Sequence, residues 1–275
     1  MSLPIYATTG QTIWYYSFRV ICGLIFFFLI APIIIIIPLS FNAQDFFTFT
    51  PEMLALDPAG FSTKHYEDFF TNQDWLRPLK NSLIIAFTAT VFSTGFATVG
   101  AIALKRNREM RRKNLFQGTL MMPLMIPEIV TAIATLSFFS AIGLKLGRGN
   151  FIIAHTVFCI PFAFLPIQAR LAGMDETLEL AARDLYSRNW TALRLITIPL
   201  LMPGILSGAM LAFIVSLDDF IITLMVADAG SSTLPIYIYS LVRVGITPEV
   251  NAVSTVLLAL STVGVVLSTA LGKRK

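Results

Sequence analysis

Long apolar runs separated by short polar clusters make up most of this chain. A helix needs about 20 apolar residues to cross the hydrocarbon core of a bilayer. Six runs reach that length, at roughly residues 20–40, 81–104, 116–142, 151–170, 200–226 and 250–271. Their Gly, Pro, Ser and Thr content is what membrane helices tolerate. The short alternating segments of a membrane barrel are missing. The pattern therefore predicts an all-α membrane protein with six transmembrane helices.

One interval breaks the rhythm. From Asp175 to Pro199 the chain reads as ordinary water-compatible helix. Asp175 is placed to cap it, with Glu176 and Glu179 near the positive end of the helix dipole. Leu178, Ala181, Ala182 and Leu185 follow i, i+3, i+4, i+7 spacing and predict one apolar face with two small residues at its centre. Glu179 and Arg183 are spaced to pair on the wet side. A second short helix is predicted over Trp190–Thr197, ended by Pro199.

Composition agrees with a lipid environment. Of 275 residues 56% are hydrophobic, 23 are Phe, and mean hydropathy is +0.75. Only 13% are charged, about half the share of a soluble domain. The net charge of +4 raises the question of an anionic partner, but topology accounts for it. With the N-terminus in the cytoplasm, 14 of the 20 Lys and Arg fall inside, among them Arg19, the run Lys105–Lys113, Arg170, Arg183, Arg188, Arg194 and Lys273–Lys275. The 6 outside are Lys64, Arg77, Lys80, Lys145, Arg148 and Arg243. That bias places both ends in the cytoplasm. "KRNREMRRK" is then a topology anchor, and no nucleic acid is implied. Cys22 and Cys159 lie in apolar segments and predict no disulfide. The first apolar run is too long for a signal peptide and is expected to stay as an anchor. The external loop at about 41–80 carries Asp45, Glu52, Asp57, Glu67, Asp68 and Asp74 among aromatics and is expected to fold locally. The resulting division is 1–75, a first helix with its loop, and 76–275, a membrane domain with a cytoplasmic loop at 172–199.

Three carboxylates fall inside predicted spans: Glu128, Asp218 and Asp219. A charge at the bilayer centre costs about 2.5–3.5 kcal/mol even on an insertion scale, so such residues face water or a partner. At 1.5 Å per residue, Glu128 and Asp218 lie roughly 20 and 25 Å from the cytoplasmic edge, at similar level in the outer half. Asp218 and Asp219 point about 100° apart and cannot both face one path. They line a cation path in one reading and cap broken helices in the other. Phe220, Tyr237 and Tyr239 offer cation–π faces. His65 and His155 are isolated in sequence and suggest no metal cluster. No Ser-His-Asp or Cys-His arrangement points to an enzyme, and no GxxxxGK[ST] loop is present to bind ATP.

The polar interval resembles the cytoplasmic loop of ABC-importer permeases, whose motif is EAA, three residues, G, nine residues, I-x-L-P. Ala181, Ala182, Tyr186, Ile196 and Pro199 stand at the required separations, with Ile198 in place of Leu. Leu180 stands where the family has Glu, with Glu179 adjacent. Tyr186 stands where the family has the Gly that closes the first helix in a left-handed turn. A Tyr there costs roughly 1–2 kcal/mol, and the alternatives are a turn at Asn189 or a longer helix. "GFSTKHYEDFF", "MMPLMIPEIV", "SLDDFIITLMV" and "LVRVGITPEVNAVSTVLL" are similar to the second permease subunits of spermidine/putrescine importers. The resemblance implies a type I importer permease in the cell inner membrane. Glu179, Leu180, Ala181, Ala182, Asp184, Leu185 and Tyr186 would then dock on an ATPase. The implied partners are a homologous permease, two ATPase chains that hold ATP and Mg, and an external solute-binding protein. The cargo would be a small cationic solute, a polyamine above all, moved by alternating access with no cofactor on this chain. The rival reading, a cation-coupled secondary transporter or channel, explains the acids and leaves the loop unexplained.

Overall fold

Inside lipid every backbone N–H and C=O has to be paired within its own segment, which makes helix the default for each apolar run. The computed structural model describes residues 8–44, 48–106, 112–175, 177–227, 232–245 and 247–273. In chain order the helices are α1 (Thr9–Leu39), α2 (Pro51–Leu54), α3 (Lys64–Thr71), α4 (Gln73–Arg106), α5 (Lys113–Met125), α6 (Glu128–Ala141), α7 (Arg148–Ala172), α8 (Thr177–Asp184), α9 (Asn189–Ala192), α10 (Ile198–Asp218), α11 (Ile221–Val226), α12 (Leu234–Val244) and α13 (Pro248–Lys273). Among the described residues the only β pairing is an isolated bridge between Asn42 and Phe61.

Four predicted spans appear as single helices with longer ends: α1, α4, α7 and α13. The other two are broken. The run at 116–142 becomes α5 and α6, bent by 106°. Ile126 and Pro127 are both extended at the break, because proline disfavours helical backbone in the residue before it and supplies no N–H of its own. The run at 200–226 stops at Asp218, and α11 begins at Ile221. At its other end α10 continues back without interruption through a π-helical turn at Leu193–Thr197 to Asn189, so Pro199 does not end a separate helix. Pro199 leaves a carbonyl one turn back without its usual donor, and the widened turn lies there.

The chain divides into two compact units. The first comprises residues 1–71 and 244–257. In it α1 opens with a capping box in which Thr8 and Gln11 satisfy each other's backbone N–H groups. Its apolar length is exposed. The loop after α1 is held by local bonds: Ser40 and Tyr66 share a hydroxyl contact of 2.6 Å, Asn42 donates to the Thr48 carbonyl, and Phe41 stacks on Tyr66. His65 is not isolated, since Asp68 and Glu249 lie beside it.

The second unit comprises residues 72–243 and 258–275, with α4, α7 and α10 at its centre. Small residues let these helices approach. Gly204, Gly208 and Ala212 repeat every four residues on α10. A Cβ on Gly208 would fall 2.5 Å from the Ala163 carbonyl oxygen of α7, and one on Gly204 would fall 2.6 Å from the Arg170 Cβ. The start of α12 is fixed by α4, where Ser82 Oγ accepts from the Leu234 N–H and Asn81 donates to the Ser232 carbonyl.

Candidate functional site

The two broken spans bring the intramembrane acids together. Glu128 is the first residue of α6, and Asp218 and Asp219 sit where α10 stops. All three line one open cavity of about 490 Å³, with Phe158 and Phe162 of α7, Ile214 and Val215 of α10, and Phe220 and Ile221. Glu128 lies beside Asp219.

The adjacent aspartates have different surroundings. Asp219 is 6% exposed and extended in backbone, and its carboxylate turns forward over α11. It accepts from the Thr223 N–H at 2.9 Å, the Thr223 hydroxyl at 2.7 Å and the Ile222 N–H at 3.4 Å, so it caps the short helix. His155 of α7 reaches the same group, with Nε2 3.3 Å from Asp219 Oδ2 and 2.9 Å from Thr223 Oγ1, and Nδ1 2.8 Å from Ser216 Oγ. The Thr223 hydroxyl has one proton. Given to Asp219, it leaves the oxygen to accept from His155 Nε2–H. This buried chain ties the α10–α11 break to α7. Asp218 has none of these bonds among the described residues and is exposed at the cavity.

The three aromatic candidates separate. Phe220 lines the cavity and packs on Tyr239 at 4.7 Å. The Tyr239 ring already carries the Arg243 guanidinium, 5.2 Å from its centroid. Tyr237 meets Trp75 edge to face at 4.8 Å and is not part of the cavity lining. Phe158 and Phe162 were missed by sequence reasoning. Their i, i+4 spacing puts them on one face of α7, but nothing in the sequence says that this face meets the acids.

The polar interval forms the second constellation. Asp175 accepts from the Thr177 N–H at 2.9 Å, and that bond, with the Thr177 hydroxyl, holds its carboxyl below the usual range. Glu176 lies outside the described residues. The predicted apolar face splits: Ala182 is buried, while Leu178, Ala181 and Leu185 are exposed. Glu179 is half-buried beside the buried Ala182 and pairs with Arg106 of α4, not with Arg183. Its carboxylate accepts from the Thr197 hydroxyl at 2.6 Å and lies 3.5 Å from Arg106 of α4. Leu180 is left facing out. Asp184 closes α8, and the turn falls at Tyr186, where φ is +57°. Tyr186 N–H donates to the Arg183 carbonyl and Ser187 N–H to the Ala182 carbonyl, the bond pair of a left-handed helix stop. A tyrosine thus holds a conformation suited to glycine, and its side chain is 97% exposed. With Leu180, Leu185 (82% exposed) and Trp190 it makes an apolar, outward-facing knuckle.

A family profile described as "Binding-protein-dependent transport system inner membrane component" matches residues 95–275. The spermidine/putrescine transport system permease protein PotC of Escherichia coli (strain K12) is 37% identical over 251 residues, covering 91% of this chain and 92% of that protein. The putrescine transport system permease protein PotI of the same strain is 34% identical over 247 residues, covering 88% and 84%. In three dimensions a chain of a bacterial ABC transporter involved in the import of the acidic polysaccharide alginate superposes with a TM-score of 0.71 at 16% identity, covering 95% of this chain and 96% of that one.

Proposed function

The chain belongs to the binding-protein-dependent transport system inner membrane components, and from that premise we propose that its cargo is a small flexible polycation of the polyamine class, carried through the acid-lined cavity. It is a multi-pass transport permease subunit of the inner membrane, and its fold is that of type I ABC-importer permeases. The rival secondary transporter, which rested on the carboxylates alone, gives way to this family.

The observation that carries the cargo assignment is the convergence of Glu128 and Asp218 with Phe220, Phe158 and Phe162 on one cavity. A polyamine spreads separate ammonium charges along an apolar chain. It needs spaced carboxylates for the charges and ring faces for the methylenes and the cations. Asp219 contributes by position. By capping α11 and binding His155, it leaves Asp218 as the exposed carboxylate of the pair. Both relatives described above are named for spermidine or putrescine transport, which supports the same class.

Work enters from the other end. We place α8 and α9 in the cytoplasm, from the Lys and Arg bias, as the surface that docks on one of two separate ATPase chains. Those chains would hold ATP and Mg. A homologous permease completes the membrane part, and a solute-binding protein delivers cargo from outside. The helix from Asn189 to Asp218 is continuous over 30 residues, about 45 Å at 1.5 Å per residue. It joins the knuckle to the Asp218–Asp219 break without a joint other than the π turn.

The test is competition for uptake by the reconstituted transporter. Unlabelled spermidine or putrescine is expected to block uptake of labelled spermidine, while a neutral amino acid or an anionic sugar is not. Equal competition by the neutral solute would overturn the cation assignment.

A further inference from the structure

We propose that His65, Asp68 and Glu249 form a divalent transition-metal site in the first unit, of a kind that suits zinc. His65 is 2% exposed. Its Nε2 lies 3.1 Å from the Asn42 carbonyl oxygen. A carbonyl only accepts, so this nitrogen carries a proton, and Nδ1 is the nitrogen that would offer a lone pair to a metal. That Nδ1 is buried and meets no hydrogen-bond donor. A neutral imidazole with one nitrogen fixed to a backbone carbonyl and a lone pair on the other is how metal-binding histidines are oriented.

The ligand set follows from local structure. Asp68 is three residues beyond His65, on the same face of α3. Glu249 is in the first turn of α13, within the same unit. One donor atom from each of the three side chains lies within 4.8 Å of the others. Zinc takes nitrogen and carboxylate oxygen at about 2.0–2.2 Å, so tetrahedral donors stand about 3.4 Å apart. Asp68 is exposed and Glu249 half-buried, so neither carboxylate is locked in place and each would have to turn to close that gap. Two carboxylates balance the charge of the ion, and water takes a fourth position. Each acid has another explanation on its own: Glu249 suits the dipole of α13 and Asp68 is solvated. Neither explains a buried imidazole nitrogen that has no hydrogen-bond partner. The bound ion would staple α3 to the start of α13.

Zinc titration of the purified transporter, after treatment with a chelator, tests the site. The expected result is one Zn²⁺ per chain at this site and a rise in melting temperature that EDTA reverses. Asp68→Asn and Glu249→Gln, both away from the buried ring, are each expected to weaken zinc binding by at least about tenfold. Cobalt substitution should give tetrahedral absorption bands that Glu249→Gln removes. Absence of zinc binding, or binding unchanged in both variants, overturns the proposal; the second result places the ion elsewhere, for instance at the exposed Cys22 thiol.

Discussion

At neighbouring positions on the break after α10, Asp218 and Asp219 carry the same carboxyl group into different surroundings. Asp219 accepts from Thr223 and Ile222 and meets His155, all in the protein interior. Asp219→Ala would strand several buried donors at about 1–3 kcal/mol each, and the purified protein is expected to melt at clearly lower temperature. Asp218→Asn strands nothing and should leave the melting temperature unchanged. Glu128→Gln and Asp218→Asn are each expected to raise the KM for spermidine uptake roughly 10–100-fold, the equivalent of a charged hydrogen bond of about 1.5–3 kcal/mol. The sequence placed Glu128 and the aspartate pair at one level but could not separate the pair. The separation depends on His155 and Ser216 across the α7–α10 crossing, and nothing in the local sequence announces that contact.

At the scale of elements, six apolar runs were legible because length and composition alone define a span. The breaks were not, since Ile126-Pro127 and Asp219-Phe220 sit inside runs that stay apolar on both sides. The 11-residue α12 is too short to register as a span. In α8 the spacing gave the helix but not its partner, and the inward face turned out to be Glu179 and Ala182. This refines what substitutions should do. Ala181→Arg puts a charge on the exposed side and is expected to abolish ATPase copurification and uptake while the protein inserts normally. Ala182→Arg is expected to lower stability as well, because that position is buried. Tyr186→Gly relieves a left-handed strain of about 1–2 kcal/mol and removes the most exposed ring of the knuckle. Its predicted signature is a higher melting temperature together with weaker ATPase association. On α10, Gly208→Ala forces the Ala163 backbone to shift, and a loss of about 1–3 kcal/mol should appear in thermal unfolding.

At the scale of the whole molecule, the account places two constellations at opposite ends of one 30-residue helix. One is apolar and exposed, suited to a soluble partner; the other is an acid-lined open cavity, suited to a cation. On the proposed function, the helix between them is what would couple cargo release to the knuckle. The measurement that bears on this most directly is ATP-driven spermidine uptake by the purified, reconstituted transporter, with wild type, Ala181→Arg and Asp218→Asn compared at equal protein. Wild type should take up spermidine only with ATP, Ala181→Arg should lose uptake together with its ATPase, and Asp218→Asn should keep the ATPase and lose affinity for the cation. Uptake that proceeds without ATP, or that neither substitution alters, would contradict the account.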